Sequence, residues 1–233
     1  MLDRLKDSLD LSVFWEYRVI LLSGFGQNLS IFLLAGTLAT AIAFLIGAAR
    51  LNRNWFIRTG ALGYSEFFRN TPEYVLLVWV YYIMPILLTN LLKTRFDLSP
   101  YAAAVLALGV AYSGFMAETV RAGLLSVPKG HVEAALALGM SRRAILFRIV
   151  MPQAVRRMLP EALNQYVSLF KATSIVSLIA VEDIMYRVSM VNVDQMRPLP
   201  LYTGAALFYC LIIITASQII QRLTNGWRVR GWA

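Results

Sequence analysis

This chain has little of what catalytic and metal-binding proteins rely on. Its 233 residues include one cysteine and one histidine. Cys210 by itself can form neither an intramolecular disulfide nor a thiolate metal cluster, and it reads as a small buried apolar residue of the last apolar run. His131 has no second histidine to complete an H-E-x-x-H metal helix, and the chain contains no G-x-S-x-G nucleophile elbow. Lysine is confined to Lys6, Lys93, Lys129 and Lys171. None of them belongs to a G-x-x-x-x-G-K-[ST] phosphate loop, so any ATP-driven work needs another polypeptide. There is also no internal repeat, no low-complexity run and no Gly-, Ser- or Pro-rich linker to divide the chain, which reads as one domain.

Charge is scarce as well. Charged residues make up 15% of the chain and hydrophobic ones 58%, more apolar surface than a soluble domain of this length needs. The charges cluster, leaving uncharged runs over Val19–Ala49, Tyr74–Leu92, Leu98–Ala117 and Pro198–Gln221. A fifth run, Ala162–Val181, is broken only by Lys171. Each is near or above the ~20 residues a helix needs to cross ~30 Å of hydrocarbon, which predicts an all-α membrane protein with five spans.

The net charge of +9 reports topology rather than nucleic-acid binding. With five spans, 14 of the 22 basic residues fall on one side (Arg50 to Arg69, Arg121 to Arg157 and Arg222 to Arg230) and 7 on the other, with Lys171 inside a span. The richer side is expected to be cytoplasmic, with the N-terminus outside and the C-terminus inside. Residues 1–25 have no early apolar core and so are no cleavable signal. Leu2, Leu5, Leu9 and Val13 recur at helical spacing, which suggests an amphipathic helix on the membrane surface leading into the first span.

The spans differ in character. The first is rich in small residues, among them Gly36, Ala39, Ala43 and Gly47, which permit close helix packing. The second carries Trp79, Tyr81 and Tyr82 as an aromatic belt and Pro85 as a bend, and Pro72 ahead of it is expected to break the backbone. The third ends in "SGFMAETVRAG", placing Ser113, Glu118 and Arg121 on its inner half.

Between spans three and four lie about forty residues, too many for a turn. Ser126 is a candidate helix cap with Pro128 just inside the next helix, and "HVEAALALGM" reads as that helix. Ser141 can cap a second helix, "RRAILFRIV", which Pro152 is expected to interrupt. The product is a helix-turn-helix, basic on one face and apolar on the other. Physical chemistry leaves two readings of it open, a hairpin resting on anionic lipid and a handle for a soluble partner.

The spacing of Glu133-Ala134-Ala135, Gly139, Ile149 and Pro152 resembles the EAA loop of binding-protein-dependent ABC importer permeases. "FFRNTPEYVLLVWVYYIMP", "MPQAVRRMLPEALNQYVSLFKATS" and "IAVEDI" are similar to the polar amino acid branch, over roughly residues 26–222. His131, Met151 and Ala172 depart from that branch, the last by removing a carboxylate beside Lys171. The resemblance implies a type I importer permease fold in the bacterial inner membrane: a permease domain over 26–222, a coupling loop at about 126–152 and a cytoplasmic tail over 223–233. It implies no enzyme activity and no cofactor on this chain, with ATP and Mg used by a partner ATPase. The implied partners are a second permease, identical or homologous, two ATP-binding subunits, a periplasmic solute-binding protein, an amino acid and membrane lipid, with no nucleic acid. For coupling it points to Glu133, Ala134, Ala135, Gly139 and Pro152, with Gly139 close to the partner's backbone.

For the substrate, the resemblance favours Arg121 for the carboxylate and Glu182 for the ammonium, with Ser113, Thr173 and Ser174 as hydrogen-bond donors and Glu118 and Lys171 as further candidates. Glu118 and Arg121, three apart on one helix, equally suit a mutual ion pair. Lys171 equally suits a reach to the interface. The lost carboxylate at Ala172 leans toward acidic or neutral amino acids. A permease for an opine- or osmolyte-like solute, and a non-transporting membrane scaffold, are the alternatives.

Overall fold

In a computed structural model of the chain, residues 12–228 are described, and every regular element among them is helical. In chain order these are α1 (Ser12–Glu16), α2 (Arg18–Ala49), α3 (Trp55–Asn70), α4 (Glu73–Leu92), α5 (Pro100–Leu125), α6 (Lys129–Ala137), α7 (Arg142–Ile145), α8 (Met151–Ala172), α9 (Ile184–Gln195) and α10 (Pro198–Arg228). Among the described residues, four stretches are long and apolar enough to cross a membrane: α2, α4, α5 and Pro198–Arg222 of α10. Of the expected leader helix, Leu2, Leu5 and Leu9 lie outside the described residues, while Val13 is buried in α1.

The fourth expected crossing in chain order, 162–181, is a composite. α8 carries Arg156, Arg157, Glu161 and Gln165 and ends at Ala172. The chain then tightens into a 3-10 turn over Thr173–Ile179, turns through left-handed Ala180 and restarts at Asp183, the cap of α9. Asp183 Oδ1 accepts the Tyr186 N–H at 2.9 Å, satisfying one of the donors a helix start leaves free.

Two prolines shape the helices differently from a simple break. The chain widens into a π turn over Trp79–Ile83, two residues before Pro85, and again over Leu146–Val150, two residues before Pro152. Proline has no N–H for the carbonyl four residues back, and its ring collides with that carbonyl. Adding a residue to the preceding turn relieves the collision, and in both places the next N–H reaches back five residues, Met84 to Trp79 O and Met151 to Leu146 O. Pro152 therefore does not interrupt its helix; α7 continues through the wide turn into α8. At Thr71–Pro72 the expected break does occur, since Thr71 closes α3 and Pro72 opens α4.

The chain forms two compact units, each assembled from three separated segments. One takes the segment up to Gly36, Pro72–Gly109 and Val167–Ala216; the other takes Thr37–Thr71, Val110–Tyr166 and the segment from Ser217. The core of the first gathers Leu21, Ile184, Val188, Val191, Leu201 and Ala205. Along α2, Ile31, Ala35, Ala39 and Ala43 recur every four residues and are all buried, so the small residues line one face of that helix. Cys210 is exposed, not buried as expected, because α10 buries a different face, through Leu201 and Ala205.

Candidate functional site

Three local devices build the loop after α5. Ser126 does not cap the next helix as expected. Its hydroxyl turns back to donate to Gly123 O at 2.6 Å and closes α5, while Pro128 stands at the start of α6. α6 ends in a double cap. The Gly139 N–H donates to Leu136 O at 2.9 Å and the Met140 N–H to Ala135 O at 3.1 Å, with Gly139 left-handed at φ +75. Ser141 Oγ then accepts the Ala144 N–H at 3.3 Å and opens α7, as the sequence predicts.

Gly139 is therefore required first by backbone conformation. A Cβ there would meet open space, yet the left-handed region disfavours side chains. The loop is also tied down. His131 Nδ1 donates to Gln153 Oε1 at 3.0 Å, and Arg157 donates to the Ser126 carbonyl. Ala135 is buried, whereas Glu133, Ala134 and Pro152 are exposed. Around them Leu138 and Phe147 are 82% and 61% exposed, and Arg142, Arg143 and Arg148 face outward. Exposed apolar side chains rimmed by arginines make a surface suited to another protein.

Two turns before this loop, Glu118 sits between two arginines. Arg121 Nε donates to both carboxylate oxygens at 3.1 and 3.2 Å, so the expected mutual pair forms. Arg50, at the end of α2, contacts the same carboxylate from another helix, and only 10% of its side chain is exposed. Ser113 is fully buried. Its Oγ donates to Val110 O at 2.6 Å and receives the Tyr64 hydroxyl at 2.7 Å, so its lone donor is already used.

The remaining candidates lie in the other unit, on the stretch joining α8 to α9. Lys171 is exposed at the last turn of α8, where a cation suits the carbonyl end of a helix, and Ser174 Oγ donates to its carbonyl at 2.8 Å. Glu182 is half exposed and pairs with Arg187 at 2.6 Å. Thr173 is fully buried in a polar knot. Asn28 Nδ2 donates to Thr173 Oγ1 at 3.1 Å, to Thr173 O at 3.2 Å and to Asp183 Oδ2 at 3.1 Å, while its Oδ1 accepts the Ile184 N–H at 3.2 Å. Asp183 is fully buried there as well.

Arg121 and Glu182 thus each have an ionic partner within their own unit. Sequence reasoning did not single out Asn28, Asp183 or Arg50. Asn28 had a visible signal, an amide inside a long uncharged run, because an amide in such a run needs partners. Arg50 had none, since it looked like one of many basic residues flanking a span.

Residues 21–228 match the profile of a family described as the inner membrane component of binding-protein-dependent transport systems. The glutamine transport system permease protein GlnP of Escherichia coli is 31% identical over 220 residues, spanning 94% of this chain and 98% of that protein. The octopine transport system permease protein OccM of Rhizobium meliloti is 32% identical over 207 residues, 88% of this chain and 84% of that protein. Among solved structures, an amino acid ABC transporter crystallised with histidines superposes with a TM-score of 0.83 at 26% identity, over 93% of this chain and 98% of its counterpart.

Proposed function

Because this chain belongs to the family of inner-membrane components of binding-protein-dependent transport systems, we propose that it is the permease subunit of an ATP-driven importer whose cargo is an amino acid. It is a transporter subunit rather than an enzyme, and ATP and Mg are used by separate ATPase chains. The observation that carries the amino acid is the likeness to a glutamine permease across 98% of that protein's length. The likeness to an octopine permease makes an opine the second cargo to test.

In this reading the loop over 126–152 docks on an ATPase subunit. Its exposed Leu138 and Phe147, rigid double cap and bracing through Arg157 favour a handle that moves as one piece. Two ATPase chains, a second permease and a periplasmic solute-binding protein complete the assembly, and the excess of basic residues supports an N-terminus outside and a C-terminus inside. Lys171 and Glu182, the exposed charges on either side of the 3-10 turn, are the groups proposed to meet the substrate's carboxylate and ammonium.

The test is uptake by the assembled transporter in proteoliposomes, with a panel of labelled amino acids and octopine. ATP-dependent accumulation of at least one amino acid is expected, with Glu182→Gln raising its KM. Accumulation of octopine alone would move the cargo to the opines, and accumulation of neither would overturn the reading.

A further inference from the structure

The inner end of α5 touches two other helices at backbone distance. A Cβ on Gly47 would lie 2.8 Å from the Ala117 carbonyl and from Val120, which puts the backbones of α2 and α5 in contact there. A Cβ on Gly123 would lie 2.8 Å from Met158 and 3.2 Å from the Ala154 carbonyl, which does the same for α5 and α8. The coupling loop leaves from α5 and returns through α8, so those two helices receive its movement directly. α2 does not carry the loop. Beyond the Gly47 contact, a polar link joins it to α5 at this end through Arg50, one turn after Gly47, with its guanidinium on Glu118.

We infer that Arg50 and Glu118 form a positioning pair that makes the inner end of α2 follow α5 when the coupling loop moves. Arg121 is the third member of the device. It holds Glu118 from the same helix, so the carboxylate keeps a partner and a fixed direction if Arg50 lets go. The inference rests on the coupling role proposed for the loop.

The chemistry separates the members. Removing Glu118 would leave two guanidinium groups facing each other without a counter-charge, disturbing the fold as well as the link. Removing Arg50 leaves the Glu118–Arg121 pair neutral and intact, so Arg50→Gln breaks the α2 link alone. Exchanging charges by Arg50→Glu with Glu118→Arg rebuilds an opposite-charge contact across the helices and preserves the cluster's total charge.

The experiment uses the complete transporter in proteoliposomes, with uptake and ATP hydrolysis measured on the same preparation. For Arg50→Gln, amounts in the membrane and thermal stability are expected to stay near wild type and ATP hydrolysis to stay within about twofold, while substrate moved per ATP falls by about fivefold or more. The exchanged pair is expected to recover at least half of that ratio. Unchanged transport per ATP in Arg50→Gln would overturn the inference, as would a loss explained wholly by lower stability or by no recovery in a folded exchanged pair. A wrong cargo assignment would show instead in the wild-type protein, as an absence of amino acid uptake.

Discussion

α2 comes within backbone distance of other parts of the chain at Gly24, against Asp183 and Ile184, and at Gly47, against Ala117 and Val120. A polar group secures each junction within its own unit, and the two groups differ in kind. At the first, Asn28 uses its amide hydrogens and its oxygen on four partners, all fully buried, in directions fixed by backbone atoms and a hydroxyl. At the second, one carboxylate stands between two part-exposed guanidinium groups. Hydrogen bonds in a dry interior demand one geometry, and losing one leaves an unsatisfied group. Charge attraction tolerates a change of distance, and a carboxylate with two arginines keeps one when it loses the other. The first junction is suited to hold still and the second to move under load.

The largest effect that would test this contrast is at Gly24. A Cβ there would lie 2.6 Å from the backbone of Asp183 and Ile184, which cannot step aside as a side chain can. Gly24→Ala is expected to destabilise the protein by about 3 kcal/mol or more, read as loss of monodisperse protein and a lowered Tm in detergent. A wild-type Tm would mean that the junction is not close-packed.

Next in size is Asn28→Leu, which keeps the branched shape and strips the knot of its donors and its acceptor. The Thr173 carbonyl, the Asp183 carboxyl and the Ile184 N–H lose bonds together, for an expected loss of about 2–4 kcal/mol in the same thermal assay. Arg50→Gln in that assay should lose no more than about 1 kcal/mol, because the carboxylate retains Arg121. Equal losses for the two variants would erase the distinction between a fixed and a movable junction.

Much of this was legible in the chain alone. Uncharged runs near twenty residues place four helices that are long and apolar enough to cross a membrane, because hydrocarbon thickness imposes a length that composition reveals. The loop was legible too, because Ser141 and Gly139 act within a few residues of their own positions. The fourth expected span was harder. Its apolar run reads as one helix, yet its middle is a 3-10 turn held by Asn28, and no local pattern announces a bond between residues 145 positions apart. Pro152 shows the same limit on a smaller scale, since a wide turn upstream lets a helix absorb a proline that propensity would treat as its end.

The sequence by itself determined the helical membrane class, the approximate bounds of four apolar helices, and the helix-turn-helix loop with its Gly139 and Ser141 caps, since each follows from composition or from interactions inside one segment. Only the tertiary structure decided which polar residues meet. It bound Arg50 to Glu118, pushed Asp183 into a buried knot with Asn28 and Thr173, and turned Cys210 outward. Those outcomes depend on which helix faces approach each other, and that is set by close packing between segments far apart in the chain.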